Sequence, residues 1–382
     1  MIEALSSPQG NFQLSRFPHK AKDTLRAWDA ADEYLLQWIA DKQLADNAPR
    51  ILLINDNFGA LSIALSAKSP VMVSDSHLAH KGVVANLQKN NLATNSVERH
   101  DSLSWPTSSF DLIIIKIPKS LAMLEDQLHR LRPLLHEESQ IIASAMSKQI
   151  HTSTLNLFER IIGPTHTSLA KKKARLIFSQ FNKTLEVNPS PYPLRYTLEG
   201  SDYQITNHAN VFSRESLDIG TRFFLQHLPK DMGEKKVVDL GCGNGVVGLI
   251  AAQQNPEIEL LFVDESYMAV ASAQETFQKN LSGRHAEYKV TDCLSNIEKA
   301  SVDIILNNPP FHQNNAVGDH IAWQMFQQSH RTLKTGGELW VIGNLHLGYH
   351  VKLKRLFGNC TTIATNKKFA ILKSIKQPQK RG

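Results

Sequence analysis

No run of 18 apolar residues occurs in the 382-residue chain, so no stretch of it is suited to span a membrane as a helix. The first residues, MIEALSSPQGNFQLSRF, lack a charged start followed by an apolar block, and no secretory leader is expected. Cysteine is scarce. Cys242, Cys293 and Cys360 lie far apart, are odd in number and form no CxxC pair. That argues against a disulfide framework or a zinc site and fits a reducing compartment, so the expected location is the cytoplasm. The histidines show no HExxH pattern, and no metal is expected. A large charge of one sign is missing too: the formal net charge is +6, and the two halves of the chain carry it equally.

The charge that is present is unevenly placed. Nine basic residues and no acidic one stand between Lys352 and Gly382, and Lys171, Lys172, Lys173 and Arg175 form a second cluster. Both suit sequence-independent contacts to nucleic-acid phosphates. Residues 180–193, QFNKTLEVNPSPYP, hold three prolines and little periodicity. They read as a linker and predict two domains, 1–184 and 185–382, each long enough to bury a core.

In the second half, short apolar runs at 237–240, 260–263, 301–306 and 338–342 alternate with helix-like stretches at 246–254, 267–280 and 322–333. Residues 286–290 supply a further strand, 198–206 and 211–212 read as extended lead-in segments, and 361–363 and 369–373 as closing strands. The alternation predicts α/β architecture with a doubly wound, mainly parallel sheet. The first half repeats the rhythm with strands at 51–54, 71–73 and 111–115. Gly59, Asp75, Asp101 and Asp111 pair with Gly245, Asp264, Asp292 and Asp303 at separations that drift only from 186 to 192 residues. The chain is therefore read as an internal duplication of one α/β domain.

The chemistry concentrates in the second copy. Asp239-Leu240-Gly241-Cys242-Gly243-Asn244-Gly245 follows a strand and opens a helix. Alternate glycines let the backbone turn sharply and pass close to a ligand. The leading carboxylate would repel a pyrophosphate but suits a cationic amino-acid moiety. Asp264 ends the next strand, where a carboxylate takes both hydroxyls of a ribose, and Asp292 follows the third, where it can accept from an adenine amino group. Asn308-Pro309-Pro310-Phe311 follows a fourth strand. Two prolines stiffen the loop. The Asn308 amide oxygen and Pro309 carbonyl can then point at one NH₂ group while Phe311 offers a planar face to an aromatic base.

Together DLGCGNG, VDES, TDCL and NPPF resemble the S-adenosylmethionine-dependent methyltransferases that act on exocyclic amino nitrogens. The duplication narrows this, with the lead-in NHANVFS and the segment LDIG. The chain is similar to the ribosomal RNA guanine-N2 methyltransferases whose first domain copy is degenerate. AWDAADEYLL (27–36), HTSTLNLFERIIGP (151–164), NPPFHQ (308–313) and FGNCTTIATNKKF (357–369) match the large-subunit, 23S branch of that family. The resemblance implies two tandem Rossmann-like class I methyltransferase domains, S-adenosylmethionine as cofactor and transfer of its methyl to a guanine N2 in 23S ribosomal RNA. It implies a cofactor site of Asp239, Gly241, Gly243, Asn244, Gly245, Asp264, Asp292 and Asn308, with Phe212 and Asp218 closing over the amino-acid end. Asn308, Pro309 and Phe311 are the implied catalytic residues, and His312 is expected to touch RNA. A monomer is expected. The alternatives are a small-subunit, 16S, guanine-N2 enzyme and a non-catalytic RNA-binding or chaperone module.

The first copy has lost these features. Asn55, Asp56, Asn57 and Phe58 precede Gly59 where the second copy has its glycine-rich turn, and Lys116-Ile117-Pro118-Lys119 stands where NPPF does. No cofactor is expected there, and Phe58 is expected to fill the ligand space. Lys116 and Lys119, with Lys171, Lys172, Lys173 and Arg175, are expected to hold RNA.

Overall fold

The computed structural model describes residues 4–19, 25–310 and 316–378. The chain forms two compact units, Met1–Tyr192 and Pro193–Gly382.

The first unit is built on seven strands: β1 (Ile51–Ile54), β2 (Val71–Ser74), β3 (Glu98–Asp101), β4 (Leu112–Lys116), β5 (Gln140–Met146), β6 (Thr165–Thr167) and β7 (Ala174–Gln180). Their order across the sheet is β3-β2-β1-β4-β5-β7-β6. All neighbours run parallel except β7, which is antiparallel to both β5 and β6. Helices cover both faces, so β1 is apolar along its whole length, as strands buried on two sides are. Ile51 and Leu53 enter one core while Leu52 and Ile54 enter the other.

The second unit repeats the plan with β8 (Lys236–Leu240), β9 (Glu259–Asp264), β10 (Ala286–Val290), β11 (Val302–Asn307), β12 (Leu333–Asn344), β13 (Thr361–Thr365) and β14 (Phe369–Ile375). The order is β10-β9-β8-β11-β12-β14-β13, the same winding strand for strand. Val237 enters one core, and Val238 and Leu240 the other.

The duplication reaches into details that apolar periodicity does not record. Each unit opens with an antiparallel hairpin, Ala4–Ser7 with Gly10–Gln13 and Leu194–Thr197 with Gln204–Asn207. A stripe of short polar side chains on one helix then satisfies backbone N–H groups of the hairpin and the residues after it. In the first unit Asn90 and Asn86 accept from the N–H groups of Gln13 and Ser15 at 2.8 and 3.0 Å. In the second, Asn280, Thr276 and Ser272 accept from Gln204, Thr206 and His208 at 2.8, 3.0 and 3.0 Å. Spacing of four residues puts these acceptors on one helix face. Ser76 and Ser266 each cap the helix after the second strand of their unit. Residues 211–212, expected to be extended, lie in bends instead. The hairpin register ends at Asn207, and the strand does not continue into residues 208–212.

Candidate active site

The site lies in the second unit, at the carboxyl ends of β8, β9, β10 and β11. The winding reverses there, because β8 is flanked by β9 on one side and β11 on the other. Gly241, Gly243 and Gly245 take φ of +73°, +53° and +76°, which L-residues with side chains rarely adopt. Gly243 faces open space: a Cβ there would meet nothing within 4 Å. A Cβ on Gly241 would lie 3.2 Å from the Met325 methyl and 4.0 Å from the Asn308 carbonyl oxygen. The glycine turn and the Asn308 loop therefore adjoin. Gly245 starts the helix Val246–Gln254, and a Cβ there would strike Ala273 at 2.8 Å. That glycine serves helix packing.

Asp264 joins the turn directly. Its Oδ2 accepts the Gly243 N–H at 3.1 Å and its Oδ1 the Ser266 N–H at 3.1 Å. Asp292 lies past the end of β10, which pairs with β9 up to Asp264–Val290, and its Oδ1 accepts from Gln324 Nε2 at 2.8 Å. Asp239 is buried and its Oδ2 accepts the Gly248 N–H at 2.8 Å, so it ties β8 to the first turn of the following helix. Burial pushes its carboxyl up to about 8, against the Gly248 bond and with help from the Asp264 charge.

Between the ordinary value of 3.8 and about 8 the folded chain keeps a proton that the unfolded chain releases. Stability therefore falls as pH rises through that window. Asp239→Asn keeps an acceptor for Gly248 and abolishes the titration. Without cofactor, the variant is expected to melt several degrees above the parent at pH 8, at about 2–4 °C per kcal/mol. The gap should shrink towards pH 4. A gap that ignores pH would refute the assignment.

The remaining expected residues take the following places. Asn244 is buried, donates to Asn207 Oδ1 at 2.9 Å and accepts from Val246, which makes it a brace between the turn and the hairpin. Asp218 caps the helix Ile219–Leu225, its Oδ2 accepting the Thr221 N–H at 2.9 Å. Phe212 is 74% exposed on the segment leading to that helix. Burial raises the Cys242 thiol well above its ordinary value, which suits an inert turn residue. Phe311 and His312 lie outside the described residues.

Asn308 has the most pointed geometry. Its Nδ2 donates to Thr221 Oγ1 at 2.9 Å, while its Oδ1 is buried with no hydrogen-bond partner among the described residues. A buried acceptor left unpaired costs stability, and such an atom beside an open turn invites a donor from a ligand. Asn307, which the sequence did not single out, bonds the Leu240 carbonyl at 2.9 Å and so fastens the end of β11 to the end of β8. Its Oδ1 is likewise buried and unpaired among the described residues. Thr221 is likewise unmarked in the sequence as a site residue. An Asp three residues ahead of a Thr suggests a helix cap, but a contact to a residue 87 positions away leaves no local sign.

The first unit closes the corresponding place. Asn55 keeps the left-handed φ of +66° where Gly241 stands in the second, but its amide pairs with that of Gln127 at 2.9 and 2.7 Å. Phe58 lies under the Arg16 guanidinium at 5.1 Å. Lys116 does not reach out for phosphate as expected. Its side chain is 14% exposed and its ammonium bonds Asp32 at 2.5 Å and Asp29 at 3.3 Å. The sequence shows the lysine replacing an asparagine, but not the two carboxylates awaiting it. Lys119 is exposed. Lys171, Lys172, Lys173 and Arg175 are exposed around a tight β-turn, with Lys172 paired to Glu33 and Lys171 over the Tyr34 ring.

Two units of identical winding, one with an open glycine turn adjoining the Asn308 loop, make a duplicated doubly wound α/β protein, and the family matches define its class as methyltransferase. The methyltransferase small domain matches residues 202–373, and the RLMG N-terminal domain matches residues 2–183. The chain is 50% identical to ribosomal RNA large subunit methyltransferase G of Streptomyces avermitilis, over 99% of this chain and 100% of that one. It is 51% identical to the protein of the same name from Klebsiella pneumoniae, over 97% of each. The chain belongs to the ribosomal RNA large subunit methyltransferase G family. Its fold is also that of the T. thermophilus 16S rRNA N2 G1207 methyltransferase (RsmC), solved with AdoMet and guanosine. The TM-score is 0.74 at 19% identity, over 99% of this chain and 98% of that one.

Proposed function

We propose that this chain transfers a methyl group from S-adenosylmethionine to the N2 amine of a guanine in large-subunit ribosomal RNA. The carrying observation is the buried Oδ1 of Asn308, without a partner among the described residues, in the loop that adjoins the glycine turn at Gly241. Family membership supplies the RNA and its subunit. Gly241, Gly243, Asp264 and Asp292 would hold the cofactor, which when bound supplies an electrophilic methyl on a sulfonium. The open face of Gly243, bonded through its N–H to Asp264, suits close approach of such a ligand.

The residues have a defined task. The N2 lone pair of guanine is delocalised into the ring and is a weak nucleophile. Asn308 Oδ1 accepts one amino hydrogen and the Pro309 carbonyl the other. That favours a more pyramidal nitrogen and stabilises the positive charge it gains. The rest is positioning, worth several powers of ten when reacting atoms are held in line. The base leaves its stack to reach such a pocket.

The first unit, in this reading, holds RNA without cofactor. Lys172 and Lys173 adopt φ of +49° and +63° at the centre of the turn closed by Lys171 and Ala174. Glycine and asparagine occupy such positions at less cost. Lysines held there against their backbone preference project charge from an exposed tip, which favours a phosphate contact. A monomer acting in the cytoplasm completes the reading. None of the described helices is long and apolar enough to cross a membrane.

Ribosomal RNA from cells lacking the gene, incubated with the purified full chain and labelled cofactor, is the test. Label should appear as N2-methylguanosine in large-subunit RNA by mass spectrometry. Label in small-subunit RNA would favour the 16S alternative. Cofactor binding without turnover would favour the non-catalytic module.

A further inference from the structure

The geometry points to Thr221 as a positioning residue: the chain Asp218–Thr221–Asn308 sets which way the Asn308 amide faces. The inference rests on the methylation reading above. An asparagine amide has an accepting and a donating end, and only the accepting end can receive an N–H of guanine. A half-turn about its last bond would present an NH₂ to an NH₂. The partner of Nδ2 therefore decides whether the site works. That partner is Thr221 Oγ1 at 2.9 Å. A hydroxyl both donates and accepts, so alone it would hold the amide either way round. Asp218 removes the ambiguity. Its Oδ2 lies 3.4 Å from Thr221 Oγ1 and, as a carboxylate, can only accept. The hydroxyl proton goes to Asp218, the oxygen lone pairs face Asn308, and Nδ2 must be the end they receive. Oδ1 is left unpaired among the described residues, free for the substrate. Asp218 is held in turn by the Thr221 N–H at 2.9 Å.

The first unit is an internal control. Asp29 caps the helix Ala30–Asp41 as Asp218 caps Ile219–Leu225, and Asp32 follows it by three residues as Thr221 follows Asp218. In the strand registers Ile54 pairs with Ile115 and Leu240 with Asn307, so Lys116 occupies the place of Asn308. Lys116 bonds Asp32 at 2.5 Å, the same contact between the same positions. Where the donor is an ammonium the third helical residue is a carboxylate, and where it is an amide that residue is a hydroxyl. Asp32 serves the cap as well, its Oδ2 accepting the Asp29 N–H at 3.0 Å, but its Oδ1 is the atom that meets the group arriving from the sheet, as Thr221 Oγ1 is in the second unit.

The test uses the full chain with Thr221→Val and Thr221→Ser. Valine keeps the shape and loses the hydroxyl, and serine keeps the hydroxyl. Thr221→Val should lower kcat for RNA methylation roughly 10–100-fold, with the Kd for S-adenosylmethionine within about twofold of the parent as evidence of an intact fold. Thr221→Ser should restore kcat to within about threefold. In an Asn308→Ala background, Thr221→Val should have no further effect on kcat, because it then has no amide to orient. Full additivity in that background, or a Thr221→Val enzyme as fast as the parent while Asn308→Ala is slow, overturns the relay and leaves the methylation reading standing. A parent chain that binds cofactor and methylates no guanine overturns both.

Discussion

Asn308→Ala lowers kcat for guanine methylation by about 10²–10³-fold, the usual cost of deleting one pre-aimed hydrogen-bonding group that stabilises transition-state charge. The Kd for S-adenosylmethionine should change by less than about twofold. The two expectations come from different atoms. Cofactor affinity rests on the glycine turn and on Asp264 and Asp292, whose bonds to Gly243, Ser266 and Gln324 do not involve the Asn308 side chain. Turnover rests on Oδ1, buried and unpaired among the described residues, whose partner arrives only with substrate. Removing the side chain deletes both that acceptor and the Nδ2 bond to Thr221, two changes that oppose each other, so the variant's stability should stay within about 1 kcal/mol of the parent's. Asn308→Asp separates acceptance from charge. It restores an acceptor but sets a carboxylate against the Thr221 hydroxyl that now receives Nδ2, and should recover only part of the loss. Single-turnover methylation and calorimetric cofactor titration together check the pattern. An Asn308→Ala enzyme with parental kcat would remove the amide from the mechanism.

Much of this was legible in the sequence, because backbone demands leave marks on neighbouring residues. Gly241 and Gly243 announce a turn with left-handed φ, and Pro309 and Pro310 announce the end of a strand. The apolar run 237–240 announces a strand covered on both faces. Asp264 and Asp292 follow from counting strands. Other features leave no such mark. β5 and β7 of the first unit are hard to read because QIIASAM and ARLIFSQ mix small and polar residues into the apolar pattern. Asn244 stands inside the turn, and no local sign shows that its amide bonds Asn207, 37 residues earlier. The bond from the Gly248 N–H to the Asp239 carboxylate is equally unmarked in the sequence. Pairings across tens of residues are set by how layers stack, and no local pattern encodes them. The duplication itself offered a route to them, since reading Asp29-x-x-Asp32 against Asp218-x-x-Thr221, and Lys116 against Asn308, matches the residues that touch in each unit.

Lys116→Ala should destabilise the first unit by about 3–5 kcal/mol, the cost of breaking a buried ion pair from one side. Lys116 is the cation bonded to both Asp32 and Asp29, and Asp56 is buried nearby. Burial already raises Asp32 against the pull of Lys116, and burial raises Asp56 to about 6 with the Asp32 charge adding. Asp29, though burial raises it, is held low overall by Lys116 and by backbone bonds. Lys116 itself, against its own burial, is held above the ordinary lysine value by both carboxylates. Without the ammonium all three acids rise. A carboxyl raised in the folded state binds a proton that the unfolded chain has lost, so folding weakens as pH climbs from about 4 to 8. The loss in Lys116→Ala should therefore be largest near pH 8 and smallest near pH 4, read as faster hydrogen exchange of β1 and β4 amides. The decisive variant is the double replacement Lys116→Asn with Asp32→Thr, which installs the second unit's amide and hydroxyl and keeps Asp29 as the cap. It removes a buried cation and a buried anion together and leaves a neutral hydrogen bond in a geometry the fold already supports. It should recover most of the stability lost in Lys116→Ala and flatten the pH dependence. Recovery would show that the salt bridge and the amide–hydroxyl pair are two solutions to one packing problem. Failure would mean that the first unit's site has diverged in backbone as well as in side chains.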